Sequence, residues 1–168
     1  MPVSLYDVSA PVFIQGLRGL HGILEKAKAH VAAKGVDPAA LLTARLYPDM
    51  FAFTKQVQIV TDFAKGPVGR LAGAEFPVFE DAETSFDELQ DRIERTIAYI
   101  EGFSAADIDG HEDRDITLTR RGVDTVIKAK PYLLQQALPN FFFHLTTAYA
   151  ILRHNGVEIG KKDFLGTA

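Results

Sequence analysis

The sequence predicts an all-α protein, a four-helix bundle with one small β-hairpin before the last helix. Four segments carry apolar residues at the helical spacings of three and four, and one stretch between residues 103 and 130 changes to the alternation typical of strands. Hydrophobic residues make up 47% of the chain and charged residues 24%, which are ordinary globular values. With 168 residues, we expect one domain over residues 1–168.

Composition excludes several classes of function. The net charge of −4 argues against a nucleic-acid-binding protein, which normally presents a basic face. No uncharged apolar run reaches the roughly 18 residues that span a membrane, and no signal-peptide pattern opens the chain. The absence of cysteine excludes disulfides, thiolate metal sites and a cysteine nucleophile. We therefore expect a cytoplasmic protein with no nucleic-acid or membrane partner.

The first helix begins after Ser9, a suitable N-cap, with Pro11 tolerated in its first turn. Gly35 marks its end, and Asp37-Pro38 predicts a short helical turn directly afterwards. The spacing of its apolar stripe is typical of a bundle helix. That stripe consists of Phe13, Leu17, Leu20, Leu24, Ala27 and Val31.

The second long helix is predicted from near Asp49 to about Leu71, with Gly73 just beyond it. Gly66-Pro67 lies near its end. Because proline lacks the backbone N–H and its ring crowds the preceding turn, we expect a kink there or the loss of the last turn.

The third helix has the clearest start signal, because Ser85 and Glu88 form the S-x-x-E capping box. Helical spacing then separates an apolar face from a charged one. The apolar face carries Phe86, Leu89, Ile93, Ile97 and Ile100, and the charged face carries Asp87, Asp91, Arg92, Glu94 and Arg95. We expect the charged face to lie in solvent.

Residues 115–119 and 125–127 predict two short strands joined around Arg121-Gly122, hence a hairpin. Pro131 can then open the fourth helical segment, and Pro139 is expected to bend it. Long connections precede helices three and four, so the helices need not follow a plain up-down-up-down order.

Gly16, Gly19 and Gly22 have the spacing G-x-x-G-x-x-G inside a helical pattern. No strand precedes them, so neither the dinucleotide-binding fingerprint nor the P-loop is present. We interpret them as small residues that allow close contact between helices.

His144 is the best candidate for a functional residue. At about 100° per residue, it falls inside the edge of the apolar arc of the last helix. Asn140, His144 and Thr147 form a ridge beside that arc. On the second helix, Gln56 is the polar residue expected to be buried, while Gln58 and Asp62 point away. Gln56, Asn140, His144 and Thr147 are therefore the candidate lining of a small polar pocket.

Two interpretations of this pocket remain open. Buried polar groups require hydrogen-bond partners, so Gln56, Asn140 and His144 can simply bond to each other or to water and fix the register of the helices. Alternatively, they form a binding or catalytic site in which His144 is a general base or a ligand.

Three stretches resemble a known family. They are SLYDVSAPVF at 4–13, LYPDMF at 46–51, and PNFFFHLTTAYAILRHNGVEIGK at 139–161. Together they resemble a branch of the DinB/YfiT-like superfamily, a domain of uncharacterised function found in bacteria and fungi, over nearly the whole chain. The resemblance implies a four-helix bundle with crossover topology and a homodimer, but no known reaction.

Metalloproteins of that superfamily hold a metal with three histidines. By the resemblance, His144 matches one of the two on the last helix, Asn140 stands in place of the other, and the position on helix two falls near Gln56 to Gln58. One imidazole and two amides are poor ligands for zinc or nickel. We therefore predict no cofactor, with a divalent zinc or nickel ion at His144 as the open alternative.

Two functions remain as hypotheses. The first, which we favour, is a metal-free homodimeric bundle that binds a small molecule. Helix four is apolar on both sides because Phe143 and Ala150 lie opposite its apolar arc, which predicts that it is buried at the dimer interface. The second is a DinB/YfiT-type enzyme that uses His144 for thiol transfer or hydrolysis; this rests on analogy alone.

Overall fold

The computed structural model describes residues 3–166, apart from the side chain of residue 120. Its helices are α1 (Ala10–Lys34), α2 (Pro38–Leu42), α3 (Phe53–Ala72), α4 (Phe86–Glu101), α5 (Ala105–Ile108), α6 (Ala129–Tyr132), α7 (Leu138–His154) and α8 (Lys161–Leu165), with a π-helical segment at Leu133–Ala137. Its strands are β1 (Asp115–Arg120) and β2 (Val123–Lys128). Within residues 3–166, none of the helices combines the length and apolar character needed to cross a membrane.

The four long helices α1, α3, α4 and α7 form the bundle, which confirms the predicted fold class. α3 packs along both α4 and α7, and α4 packs along α1. Among the described residues α4 and α7 make no comparable contact, so they lie on opposite corners. The connections from α1 to α3 and from α4 to α7 therefore cross the bundle, as crossover topology requires. Phe13 and Phe141 meet edge to face in the core, with ring centroids 4.9 Å apart.

The end signals at Ser85 and Gly35 are confirmed, whereas α3 begins at Phe53 and not near Asp49, and the fourth helical segment begins at Ala129, two residues before Pro131. The Glu88 backbone N–H donates to Ser85 Oγ (3.2 Å) and the Ser85 N–H to Glu88 Oε2 (3.1 Å), which completes the capping box. Gly35 ends α1 in the left-handed conformation (φ 63°). Ser9 stands at the N-cap of α1, but its hydroxyl donates to the Tyr6 carbonyl (3.2 Å) and makes no cap bond.

Pro67 and Pro139 both lie in helices that continue past them. α3 begins at Phe53 and continues unbroken past Pro67 to Ala72, so its last turn is not lost. Pro67 is buried, on a helix that packs along α4 and α7. In the fourth segment, the π-helical turn ends at Ala137, two residues before Pro139. Pro139 has no backbone N–H to donate to the carbonyl of residue 135. The wider π-helical turn therefore lies where a regular α-helix would lack one backbone hydrogen bond.

The predicted hairpin is present, with β1 and β2 paired antiparallel from Asp115↔Lys128 to Arg120↔Val123. Arg121 (φ 51°) and Gly122 (φ 75°) form its two-residue turn, in which both residues have the positive φ of the preferred hairpin turns. Ile116 is buried against the bundle, so the hairpin packs on it as an added wall.

The prediction of a solvent-exposed Arg92 is wrong: its side chain is fully buried. Nε donates to Thr61 Oγ1 (2.7 Å), and Nη1 donates to the Glu80 carbonyl (3.0 Å) and to Glu83 Oε1 (2.9 Å). Nη2 pairs with Asp62 Oδ1 (3.1 Å) and with an oxygen of Asp81 (3.2 Å). The helical pattern of α4 predicted the charged face correctly, but the segment from Gly73 to Ser85 folds over part of it.

Gln58 was also expected to point away from the core, and this too is wrong. It is buried, and its amide donates to Glu83 Oε2 (2.9 Å). Lys65 on the same helix is buried and pairs with Asp62. A polar layer therefore separates α3 and α4 from the 73–85 segment, and no buried side-chain N or O of the described residues lacks a hydrogen-bond partner.

The glycines of α1 differ in role. A Cβ at Gly16 would lie 2.7 Å from the Phe141 ring, and one at Gly19 would lie 2.8 Å from the Phe164 carbonyl oxygen. A Cβ at Gly22 would meet nothing within 4 Å. The interpretation as close-contact glycines therefore holds for Gly16 and Gly19, and Gly22 has no such contact.

This difference gives a matched pair of substitutions on one helix. We expect Gly19→Ala to lower the free energy of unfolding by about 1–3 kcal/mol, because backbone beside α8 must shift. Gly22→Ala should raise it by about 0.5–1 kcal/mol, because alanine favours the helix at an open position. Urea unfolding followed by circular dichroism measures both. Equal changes in the two variants would contradict the assigned contacts.

Candidate functional site

His144 on α7 and Gln56 on α3 form a direct hydrogen bond. His144 Nδ1 lies 2.7 Å from Gln56 Oε1, and the Gln56 amide nitrogen donates to the Phe51 carbonyl (3.2 Å). Because the amide oxygen can only accept, Nδ1 must carry the proton. The bond therefore leaves the lone pair of a neutral His144 on Nε2.

Aromatic rings surround the imidazole of His144. Phe63 is stacked with it (centroids 6.0 Å apart, 14° between the planes), and Phe143 meets it edge-on at 5.2 Å. Nε2 bonds to no described residue, and no described buried polar atom lacks a partner, so Nε2 reaches solvent. Burial of the ring lowers the pKa of His144 below its usual value of 6.5. The neutral ring is thus a hydrogen-bond acceptor facing water.

The other two residues of the predicted ridge do not join this pair. The Asn140 amide donates to the Gln136 carbonyl (2.7 Å), and the Thr147 hydroxyl donates to the Phe143 carbonyl (2.7 Å). Both side chains thus bond to the preceding turn of their own helix. The structure brings Gln56 and His144 together, while a shared pocket with Asn140 and Thr147 stays a prediction.

The residues at the superfamily's metal position do not fit a metal. Gln56 Oε1 and His144 Nδ1 face each other, and the Asn140 amide is engaged with its own helix. His144 is the single imidazole of this group, whereas zinc and nickel sites need several imidazole, thiolate or carboxylate donors. Across residues 3–166, three or more histidine, aspartate or glutamate side chains do not converge anywhere in a geometry suited to a metal ion.

A cavity of about 490 Å³ lies beside Phe63, between α3, the 73–85 segment, β1 and the start of the fourth helical segment. We call it the hairpin cavity. Its walls are largely aromatic and aliphatic, with charged groups at two ends. It is lined by Asp62, Phe63, Lys65, Pro67, Arg70, Phe76, Pro77, Val78, Phe79, Asp81, Leu118, Thr119, Tyr132 and Gln136. None of the four predicted pocket residues is among them.

At one end of the cavity, Lys65 and Arg92 neutralise Asp62, and Lys55 and Arg92 neutralise Asp81. These contacts hold the pKa of Asp81 below its usual value although burial opposes them. The other end carries Arg70, whose guanidinium lies over the Phe76 ring at 4.6 Å. The cavity therefore combines apolar walls with a charge-balanced end and a cationic end.

Sequence reasoning missed this cavity because its walls come from segments without a periodic pattern. Phe76, Pro77, Val78 and Phe79 belong to the irregular connection between α3 and α4. The only signal was local: an apolar, aromatic run inside a long connection, whereas connections on a protein surface are normally polar. Such a run predicts that the connection covers something, although not what.

Comparisons with known proteins agree with this fold. A protein-family model described as a domain of unknown function (DUF1993) matches residues 5–165. A crystal structure of a DinB family member protein from Shewanella denitrificans is similar, with a TM-score of 0.90 and 42% sequence identity. That similarity covers 98% of this chain and 93% of the other. None of the curated proteins matches this chain.

The lowered pKa of His144 predicts a pH dependence of stability. The unfolded chain binds this proton more readily than the folded one, so the stabilisation is fully present above about pH 6.5. It is lost as the pH falls through the lower folded pKa. We therefore expect the free energy of unfolding, measured with urea, to fall less between about pH 7 and pH 5 in His144→Gln than in the wild type.

Thr146→Gln, at an exposed position of the same helix, is the matched control. It introduces the same side chain and retains every histidine. Its free energy of unfolding should therefore fall with pH as much as that of the wild type. A His144→Gln protein with the wild-type slope would contradict the assigned burial of the ring.

Proposed function

We propose that this chain, which belongs to the DUF1993 family and has a DinB-like fold, binds a small organic molecule with an apolar body in the hairpin cavity. The observation that carries the proposal is the cavity itself. Its volume of about 490 Å³ lies in the roughly 300–1,000 Å³ range of small-molecule sites, which are mostly apolar with a few placed polar groups.

The construction of the walls supports this proposal. Phe63 and Arg70 stand on α3, a regular helix of the bundle, and Leu118 stands on β1. The irregular wall is fastened by Arg92, which donates to the Glu80 carbonyl and pairs with Asp81. Fixed walls reduce the ordering that a ligand must impose, which favours binding.

Catalysis by His144 is the second candidate, favoured by the fixed tautomer and the solvent-facing Nε2. A general base needs a reacting partner, and a second titratable group normally completes such a site. The described neighbours of the ring are the Gln56 amide, Phe63 and Phe143. Its pKa is lowered by burial alone, without a charged partner. These surroundings support binding more than catalysis.

A homodimer through α7 belongs to the same proposal. Phe142 and Phe143 are 38% and 58% exposed, and paired phenylalanines on a surface are typical of protein–protein contacts. Sedimentation equilibrium tests this point, because a mass equal to one chain at every concentration would overturn it.

The binding proposal is tested by chemical-shift mapping with isotope-labelled protein and a set of small aromatic compounds. We expect backbone amide shifts to concentrate around Phe63, Phe76, Leu118 and Tyr132 during titration, because these residues line the hairpin cavity. Saturable shifts there support the proposal.

Two other patterns would count against it. Shifts confined to Gln56, Asn140 and His144 would place the ligand at the initially predicted pocket instead. Shifts around Val31 and Val36, which line a separate apolar depression between α1 and α4, would indicate non-specific adsorption. Phe76→Ala should weaken binding without loss of fold, whereas Ile14→Ala, on the opposite side of the bundle beside α8, should not.

A further inference from the structure

We propose that the ligand of the hairpin cavity carries a carboxylate and that Arg70 binds it. This inference rests on the proposed function, since it names the chemical class that the cavity selects. Arg70 lines the cavity on α3, near the end of that helix.

Among the described charged side chains that line the cavity, Asp62, Lys65 and Asp81 form ion pairs and Arg70 does not. Three cations (Lys55, Lys65 and Arg92) contact three carboxylates (Asp62, Asp81 and Glu83). This cluster is balanced in charge. Arg70 makes no ion pair with any residue that the structure describes, so its positive charge is available to a ligand in the cavity.

The surroundings of Arg70 replace part of its hydration by aromatic faces. Its guanidinium carbon lies 4.6 Å from the centroid of Phe76 and 6.0 Å from that of Tyr132. Its Nη1 lies 3.4 Å from the Tyr132 hydroxyl oxygen, a long and weak hydrogen bond. Aromatic faces hold the planar group in place but accept few of its five N–H donors. The remaining donors are available to a ligand.

The chemistry of guanidinium favours a carboxylate at this position. Its fork of parallel N–H groups matches the two oxygens of a carboxylate, and such charge-assisted pairs are about twice as strong as neutral hydrogen bonds. Lys65 is excluded from this role because it is buried and paired with Asp62.

The same charges orient the ligand. Arg70 stands eight residues beyond Asp62 on α3, about 12 Å along the helix axis. The cations Lys65 and Arg92 are already paired with Asp62 and Asp81, so the carboxylate lies at Arg70 and the apolar body extends along Phe63 and Phe79. The inferred ligand is thus a small apolar or aromatic carboxylic acid.

The experiment compares two probes with the same body, 3-phenylpropanoate and its neutral amide, 3-phenylpropanamide. Both are titrated by chemical-shift mapping into the wild type, Arg70→Met and Arg153→Met. We expect the wild type to bind the acid roughly tenfold or more tightly than the amide. Arg70→Met should lose this preference and bind both probes alike, because methionine keeps an apolar side chain without the charge.

Arg153→Met removes the same charge from the exposed end of α7, away from the cavity, and should keep the wild-type preference. Arg70→Lys should keep part of it. Amide spectra of each variant verify the fold.

Equal affinity for acid and amide in the wild type, or an unchanged preference in Arg70→Met, would overturn the assignment to Arg70 while leaving the cavity as a binding site. If neither probe shifts the cavity residues, the proposed function fails together with this inference.

Discussion

The burial of Arg92 is the constraint on which the rest of this structure depends. A guanidinium cannot lose water unless its donors find partners, since an unpaired buried charge costs several kcal/mol or more. Thr61 on α3 supplies one partner, and the 73–85 segment supplies Glu80, Asp81 and Glu83. The connection between α3 and α4 is thereby held against the bundle, although it contains no regular secondary structure.

The candidate site follows from that attachment. With the connection fixed across α3, its apolar run of Phe76 to Phe79 becomes a wall facing the hairpin, and the space enclosed is the hairpin cavity. The carboxylates that balance Arg92 also neutralise Lys55 and Lys65, whereas Arg70 has no ion-pair partner among the described residues. Phe63 lines this cavity and also stacks with His144, but neither His144 nor Gln56 lines the cavity.

Sequence patterns predicted the features of the fold that depend on the spacing of residues within one helix or one turn. The capping box at Ser85 and the hairpin turn at Arg121-Gly122 follow from residues that are neighbours in the chain. Gln56 and His144 are 88 residues apart, and their meeting was expected only because each lies inside the apolar arc of its own helix. Arg92 was mispredicted because periodicity shows only which face of a helix is charged. Whether a connection folds over that face depends on partners many residues away. The hairpin cavity was not predictable for the same reason, because its walls meet only in three dimensions.

Limited proteolysis by chymotrypsin under native conditions tests the role of Arg92 most directly, with Arg92→Met compared with Arg153→Met. Arg153 is an exposed residue near the end of α7, so its replacement makes the same change of side chain outside the Arg92 cluster. If Arg92 fastens the connection, Arg92→Met should be cut first after Phe76 and Phe79, at a rate at least about tenfold higher than in the wild type, because proteases cleave segments that open locally. Arg153→Met should be cut like the wild type. Wild-type rates in Arg92→Met, or cleavage that begins equally throughout the chain, would contradict the account.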